Sequence, residues 1–317
     1  MNRVISDEVA YFVLSHLSVR QLQATSSTSL AEYTKWTKER KVEPVVDDLG
    51  EGASLLWVGP RETENVIIYC HGGAFIAPLS DFSVEFWYLV QQGLRQNKNL
   101  KVGVAILQYS LHPASFPVQL NQLLTGIQHV MSLGVPTSRI SLAGDSAGAN
   151  LVLQLIGHIL HPSNMAAQSP PSSSLTGFAG LCLISPWTMP SDVLQADDSF
   201  DLMPAKGMDL WTNTYLSNVP ESHLGYVQTD GASPAWFSGL DKVANRIQIT
   251  AGRNEALYPS IVRFSETLEK SHGKVQFDVQ DGGVHCDPMF DLAAKSTAPH
   301  PVVKQVTEWF AETLSPA

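Results

Sequence analysis

Short runs rich in β-branched residues alternate along this chain with longer amphipathic stretches, and that alternation permits few architectures. A strand that leads directly into a helix must return to its sheet by a crossover. Repeated strand–helix units therefore give a mainly parallel sheet with helices on both faces, an α/β fold. Strands are expected at 42–46, 54–58, 66–70, 102–107, 139–143, 178–184, 246–250 and 275–279. The first two have no helix between them and read as an antiparallel lead-in. Helices are expected over 81–96, 116–133, 147–160, 259–272 and 301–314. In the last, Val302, Val303, Val306, Phe310 and Leu314 share one face, which predicts a docked helix rather than a tail.

Two segments depart from the alternation. Residues 1–38 read as one or two amphipathic helices before the first strand. Residues 186–237 separate two strands by far more than an ordinary connection, and hold Trp187, Met203, Met208, Trp211, Tyr215, Tyr226, Trp236 and Phe237. A long apolar insert beside a sheet forms a lid, part of a pocket, or an enlarged flank of the core. No internal repeat or linker divides the chain.

Composition bounds the function. Hydrophobic residues make up 44% and charged ones 16%, ample for a sizeable core. Thirty acidic against 20 basic residues leave a net charge of -10, with no Lys/Arg cluster, which argues against a nucleic-acid partner. Cys70, Cys182 and Cys286 are odd in number and widely spaced, so neither a disulfide framework nor a metal site is expected. His16, Ser18 and Arg20 interrupt the N-terminal apolar run, and no other segment reaches spanning length. The expectation is a cytoplasmic protein with reduced thiols and no integral membrane segment. Its oligomeric state is left open.

The chemistry gathers in a few loops. Gly144-Asp-Ser-Ala-Gly148 joins a buried strand, RISLAG, to a helix, ANLVLQLIGHIL, with Ser146 at the junction. A sharp strand-to-helix turn needs small neighbours, lifts the hydroxyl clear of the sheet and sets it at a helix N-terminus. His71-Gly-Gly-Ala-Phe75 follows the strand VIIYC; small residues there let backbone N–H groups approach an oxyanion. A serine nucleophile needs a base, and the base needs an acid. His285 is the best placed of ten histidines, in the loop Asp281-Gly-Gly-Val-His285 after the last strand. Glu255, in the loop after RIQIT, is the expected acid. Asn254 carries no charge for the role, and Asp281 reads as a turn former. The chain order is then Ser146, Glu255, His285.

These motifs, with SerProTrp at 185–187, resemble the hormone-sensitive-lipase-like branch of the α/β-hydrolases over roughly residues 42–314. Within it, YSLHPASFPVQL at 109–120 and a glutamate acid look closest to the fungal steryl-acetyl-hydrolase-like esterases. The resemblance implies a mostly parallel eight-stranded sheet, with residues 1–41 as N-terminal cap helices and 42–317 as the hydrolase domain, interrupted by a cap insert at about 186–237. It implies Ser146 as nucleophile, Glu255 and His285 as its partners, and the N–H groups of Gly73, Ala74 and Ala147 as the oxyanion hole. Ala74 stands where the family usually has a third glycine, and Glu255-Ala-Leu257 where it commonly has Asp-Pro-Leu.

The function expected is a serine carboxylesterase without metal or organic cofactor. It would cleave a short-acyl ester of a bulky hydrophobic small molecule such as a fungal secondary metabolite. Phe75, Trp187, Met208, Trp211 and Tyr215 are the expected pocket residues. Two other functions fit the same motifs: acyl transfer, cyclisation or condensation by the same triad in a water-excluding pocket, and small-molecule reception on a hydrolase fold. Retention of His285 argues against the receptor.

Overall fold

A computed structural model of the chain describes residues 18–166, 170–188, 201, 203, 205–294 and 301–315. One eight-stranded sheet runs β1 (Val45–Gly50), β2 (Ala53–Trp57), β4 (Gly103–Gln108), β3 (Val66–Cys70), β5 (Ile140–Asp145), β6 (Gly180–Ile184), β7 (Ile247–Gly252), β8 (Val275–Gln280). Strands β1 and β2 pair antiparallel, as does β2 with β4; every other pairing is parallel. The expected lead-in hairpin is present but displaced, from 42–46 to Val45–Gly50. Pro44 has no N–H to give a ladder, so pairing begins one residue later.

Nine helices of at least seven residues lie among the described residues: α1 (Val19–Thr25), α2 (Ser29–Arg40), α3 (Asp81–Lys98), α4 (Val118–Ser132), α5 (Ala147–Leu160), α6 (Ala205–Leu216), α7 (Tyr258–Glu269), α8 (Asp287–Ala293) and α9 (Pro301–Leu314). Successive strand side chains point to opposite faces. Thus Val66, Ile68 and Cys70 join one core with α4, α5 and α7, while Ile67 and Tyr69 join a second with α3 and α9. Because both faces are covered, VIIYC is buried throughout and reads as a continuous apolar run. Val302, Val306, Phe310 and Leu314 are buried in the second core, as the spacing in α9 predicts. Of the N-terminal segment, α1 and α2 are described and residues 1–17 lie outside the described residues.

The insert belongs largely to the first core. Met208, Trp211 and Tyr215 of α6 are buried there with Tyr226, Val227 and Phe237. Asn150, inside α5, ties the insert down by donating to the carbonyls of Trp187 (2.8 Å) and Val227 (2.7 Å). Neither α6 nor α8 is signalled by the sequence pattern. The insert's residues 189–200, 202 and 204 lie outside the described residues.

Everything at the site depends on the turn from β5 into α5. Ser146 has φ 49° and ψ −118°, and its N–H donates to the Ile184 carbonyl at 3.0 Å. The first turn of α5 is pressed onto the end of β3: a Cβ on Gly148 would lie 1.9 Å from the Cys70 carbonyl oxygen. That oxygen is backbone and cannot rotate away. Gly148→Ala should therefore lower stability by about 1–3 kcal/mol or more, as overpacking does. An unchanged denaturation midpoint in urea would show that the contact is not tight.

Candidate active site

The parallel strands bring four loops to one edge of the sheet: those after β3, β5, β7 and β8. Ligands of open α/β sheets bind beyond such carboxyl ends. Ser146 Oγ lies 2.9 Å from His285 Nε2, and His285 Nδ1 lies 2.7 Å from Glu255 Oε2. All three residues are buried. With the Nδ1 proton directed at the carboxylate, Nε2 is left to accept the serine proton. The other Glu255 oxygen accepts from the Gly252 N–H (2.8 Å) and the Ser185 hydroxyl (3.1 Å). Asp281 is exposed and pairs with Arg253 at 2.6 Å, so it is Glu255 that faces the imidazole.

Burial by itself would lower the pKa of His285. The hydrogen bond and charge of Glu255 reverse this, with Asp201 and Asp145 adding to the effect, and the net direction is upward from the ordinary histidine value. Burial raises Glu255, opposed by its bonds to His285 and Gly252. Cys286 also faces the site, but burial beside Asp145 and Glu255 holds its thiol well above the ordinary range, so it is no competing nucleophile.

The loop after β3 is bent by three successive residues at positive φ: Gly73 (105°), Ala74 (55°) and Phe75 (59°). It is closed by N–H donation from Ile76 and Ala77 to the Gly73 carbonyl, both at 2.8 Å. Asp145 anchors its start, accepting from the Gly72 N–H at 2.7 Å and from the Tyr69 hydroxyl. The fit is close: a Cβ on Gly72 would lie 2.3 Å from an Asp145 oxygen. His71 stays neutral, its pKa pushed down to about 4 by burial, and its ring stacks on Tyr109 at 4.3 Å. Among the described residues, the N–H groups of Gly73, Ala74 and Ala147 have no protein acceptor.

A cavity of about 530 Å³ opens onto Ser146 and His285. Its apolar wall is formed by Leu79, Phe82, Met203, Met208, Met289 and Phe290. Of the five expected pocket residues, only Met208 lies on it. The other four require correction. Phe75 stacks on Tyr215 at 4.3 Å and lies 6.4 Å from Trp187, edge-on to Tyr109, while Trp211 is buried in the same core. Large rings gain most by packing on one another, so Phe75, Tyr215 and Trp187 pack together behind the loop after β3, and none of the four lines the cavity.

Sequence reasoning missed three residues here. Ser185 joins Glu255 to the Cys286 N–H (3.2 Å). Asp201 accepts from the N–H groups of His285 (3.0 Å) and Ala256 (2.7 Å). Asp145 holds the loop after β3. Asp145 had a signal in its place beside the serine and Ser185 in the run SerProTrp, though neither gave its contact; Asp201 acts across long separations that no local pattern encodes.

Among the described residues, no helix is long and apolar enough to cross a membrane, and no cluster of His, Cys, Asp or Glu could hold a metal. A family model described as alpha/beta hydrolase fold matches residues 67–288. Human hormone-sensitive lipase is 25% identical over 191 residues, which is 58% of this chain and 16% of the lipase, so the chain spans a small part of that relative's length. Among solved structures, EstE5 soaked with p-nitrophenyl butyrate superposes with a TM-score of 0.73 at 17% identity, covering 99% of both chains. The hormone-sensitive-lipase homologue EstE7 from a metagenome library gives 0.69 at 17%, again with 99% of both chains. Esterase E25 gives 0.70 at 19%, with 96% of this chain and 88% of that one covered. At these identities the likeness concerns the fold, and with a family match over most of its length, the chain belongs to the α/β-hydrolase fold family.

Proposed function

We propose that the protein is a serine carboxylesterase. The observation that carries the reading is the continuous hydrogen-bonded line Ser146–His285–Glu255, opening onto an apolar cavity beside three unclaimed backbone N–H groups. Ser146 attacks the ester carbonyl while His285 takes its proton. Glu255 steadies the imidazolium, and the N–H groups of Gly73, Ala74 and Ala147 receive the oxyanion. His285 then protonates the leaving alcohol, and water activated by the same histidine releases the acyl group.

For the substrate we propose a bulky, hydrophobic alcohol esterified with a short acyl group. The methionine and phenylalanine wall of the cavity supports the first part. The aromatic block of Phe75, Tyr109 and Tyr215 behind the oxyanion loop supports the second. A finer placement beside the fungal steryl-acetyl-hydrolase-like esterases rests on the run Tyr109–Leu120 and on glutamate as the acid. Residues 1–41 and the insert at about 186–237 act as the cap in this reading, and Thr25 and Met208 reach the cavity from those two segments. The free, buried state of all three cysteines supports a reducing, cytoplasmic setting.

Ser146→Ala and His285→Ala should each lower ester hydrolysis by about 10³-fold or more without loss of fold. A fluorophosphonate, which mimics the tetrahedral species, should label Ser146 in the native protein and fail in His285→Ala. A native protein that does not label would sink the hydrolase reading and leave a receptor in its place. Labelling followed by one burst of p-nitrophenol from the acetate ester, without turnover, would favour acyl transfer or cyclisation.

The base must be neutral to act, so activity is present above the pKa of His285 and lost as the pH falls through it. Because that pKa is raised, kcat/KM should climb through an inflection above about 6.5, the ordinary histidine value. A profile flat from about pH 5 to 9, or inflecting below the ordinary value, would contradict the base assignment.

A further inference from the structure

We propose that Asp201 is a positioning residue of the triad, a carboxylate supplied by the insert that ties the loop carrying Glu255 to the loop carrying His285. This rests on the esterase reading above. The residue touches neither nucleophile nor substrate cavity. Its Oδ1 accepts the N–H of His285 itself at 3.0 Å, and its Oδ2 accepts the N–H of Ala256, the neighbour of Glu255, at 2.7 Å. The two loops come from β7 and β8, and Asp201 from the long connection before β7. One carboxylate thus spans three segments that meet only in the folded chain.

A buried charge in this place needs a reason. Asp201 is 5% exposed, and desolvating a carboxylate costs several kcal/mol unless its oxygens are bonded. Two N–H donors meet that cost, and only a group with two acceptor oxygens can satisfy both. Asparagine offers one oxygen and turns an NH₂ toward the other N–H. Ser185 makes a parallel bridge between Glu255 and the Cys286 N–H, but it is neutral. What Asp201 adds is charge at the backbone of the base.

Among the described residues, the titratable groups facing His285 are the carboxylates of Glu255, Asp201 and Asp145, from the β7 loop, the insert and β5, with the Cys286 thiol next to it in its own loop and the Ser146 hydroxyl opposite. All three carboxylates favour the imidazolium. Loss of the Asp201 charge must therefore move the titration of His285 toward lower pH, an effect that lost packing alone would not produce. Loosening of the two loops must lower kcat more than it raises KM, since the cavity wall does not include Asp201.

The test uses the full chain. The imidazole of His285 is titrated by NMR in the native protein, in Asp201→Asn and in Asp201→Glu, its resonance assigned by its absence in His285→Gln. Kinetics on p-nitrophenyl acetate and the thermal midpoint are measured beside it. Asp201→Asn should titrate at lower pH, with kcat down about tenfold or more and KM within about threefold. Asp201→Glu keeps the charge on a longer arm, so it should titrate like the native protein while kcat still falls. An unchanged titration and kcat in Asp201→Asn would overturn the proposal, as would an equal titration shift in both variants. Should Asp201→Asn not fold, Asp201→Glu decides alone: native kcat there would overturn the positioning role. Absence of turnover and labelling in the native protein would refute the esterase reading, and the titration would still judge Asp201.

Discussion

The first turn of α5 has nowhere to move. Gly148 is held against the carbonyl end of β3, and the backbone of Ser146 is fixed on its other side, donating to Ile184 and accepting from Trp187 at 3.1 Å. The nucleophile is thus clamped between β3 and β6 in a left-handed conformation that costs of the order of 1–3 kcal/mol for a residue with a Cβ. The burial of α5, from Ala147 through His158, offsets that cost many times over. From this clamp follow the height of the hydroxyl above the sheet, the outward direction of the Ala147 N–H, and the position His285 must reach from β8.

Around the clamp the electrostatics are one-sided. Glu255, Asp145 and Asp201 are all buried, and each accepts hydrogen bonds from backbone N–H groups. Their fields converge on His285. In the proposed mechanism, a proton leaving Ser146 for Nε2 creates a cation where the surroundings are already arranged to receive one, and no reorganisation is needed at that moment. The developing negative charge is met separately, by backbone dipoles.

What the sequence made legible was what local pattern can carry. Ser146, Glu255 and His285 each lie in a loop that follows a strand, and their chain order, nucleophile then acid then base, follows the ends of β5, β7 and β8. In the line of hydrogen bonds, His285 stands between the other two. The parallel core was legible because VIIYC and ISLAG are buried on both faces and read as continuous runs without an exposed side. The start of β1 was misjudged because a β-branched run continues through Val42 while Pro44 withholds an N–H. The pocket was misjudged for a deeper reason. Apolarity in the insert signals burial, but burial against another ring and burial against a ligand cavity look alike in one dimension. Tyr215 went to the first, Met208 to the second. Phe82 and Phe290, which do face the cavity, come from the first turn of α3 and the middle of α8, with no motif to mark them.

The insert meets the site from two directions, and these carry different loads. Through Tyr215 it stacks on Phe75, which lies in the left-handed run that aims the Gly73 and Ala74 N–H groups. Through Asp201 it holds the backbone of His285 and the neighbour of Glu255. The first contact is between apolar rings; the second is a carboxylate accepting two backbone N–H groups. A segment that supports the oxyanion loop with one residue and the acid–base pair with another cannot be merely a cover over a finished site. On the proposed reading it supplies part of the frame on which both halves of the chemistry are aligned, and this gives a reason for an otherwise costly carboxylate inside it.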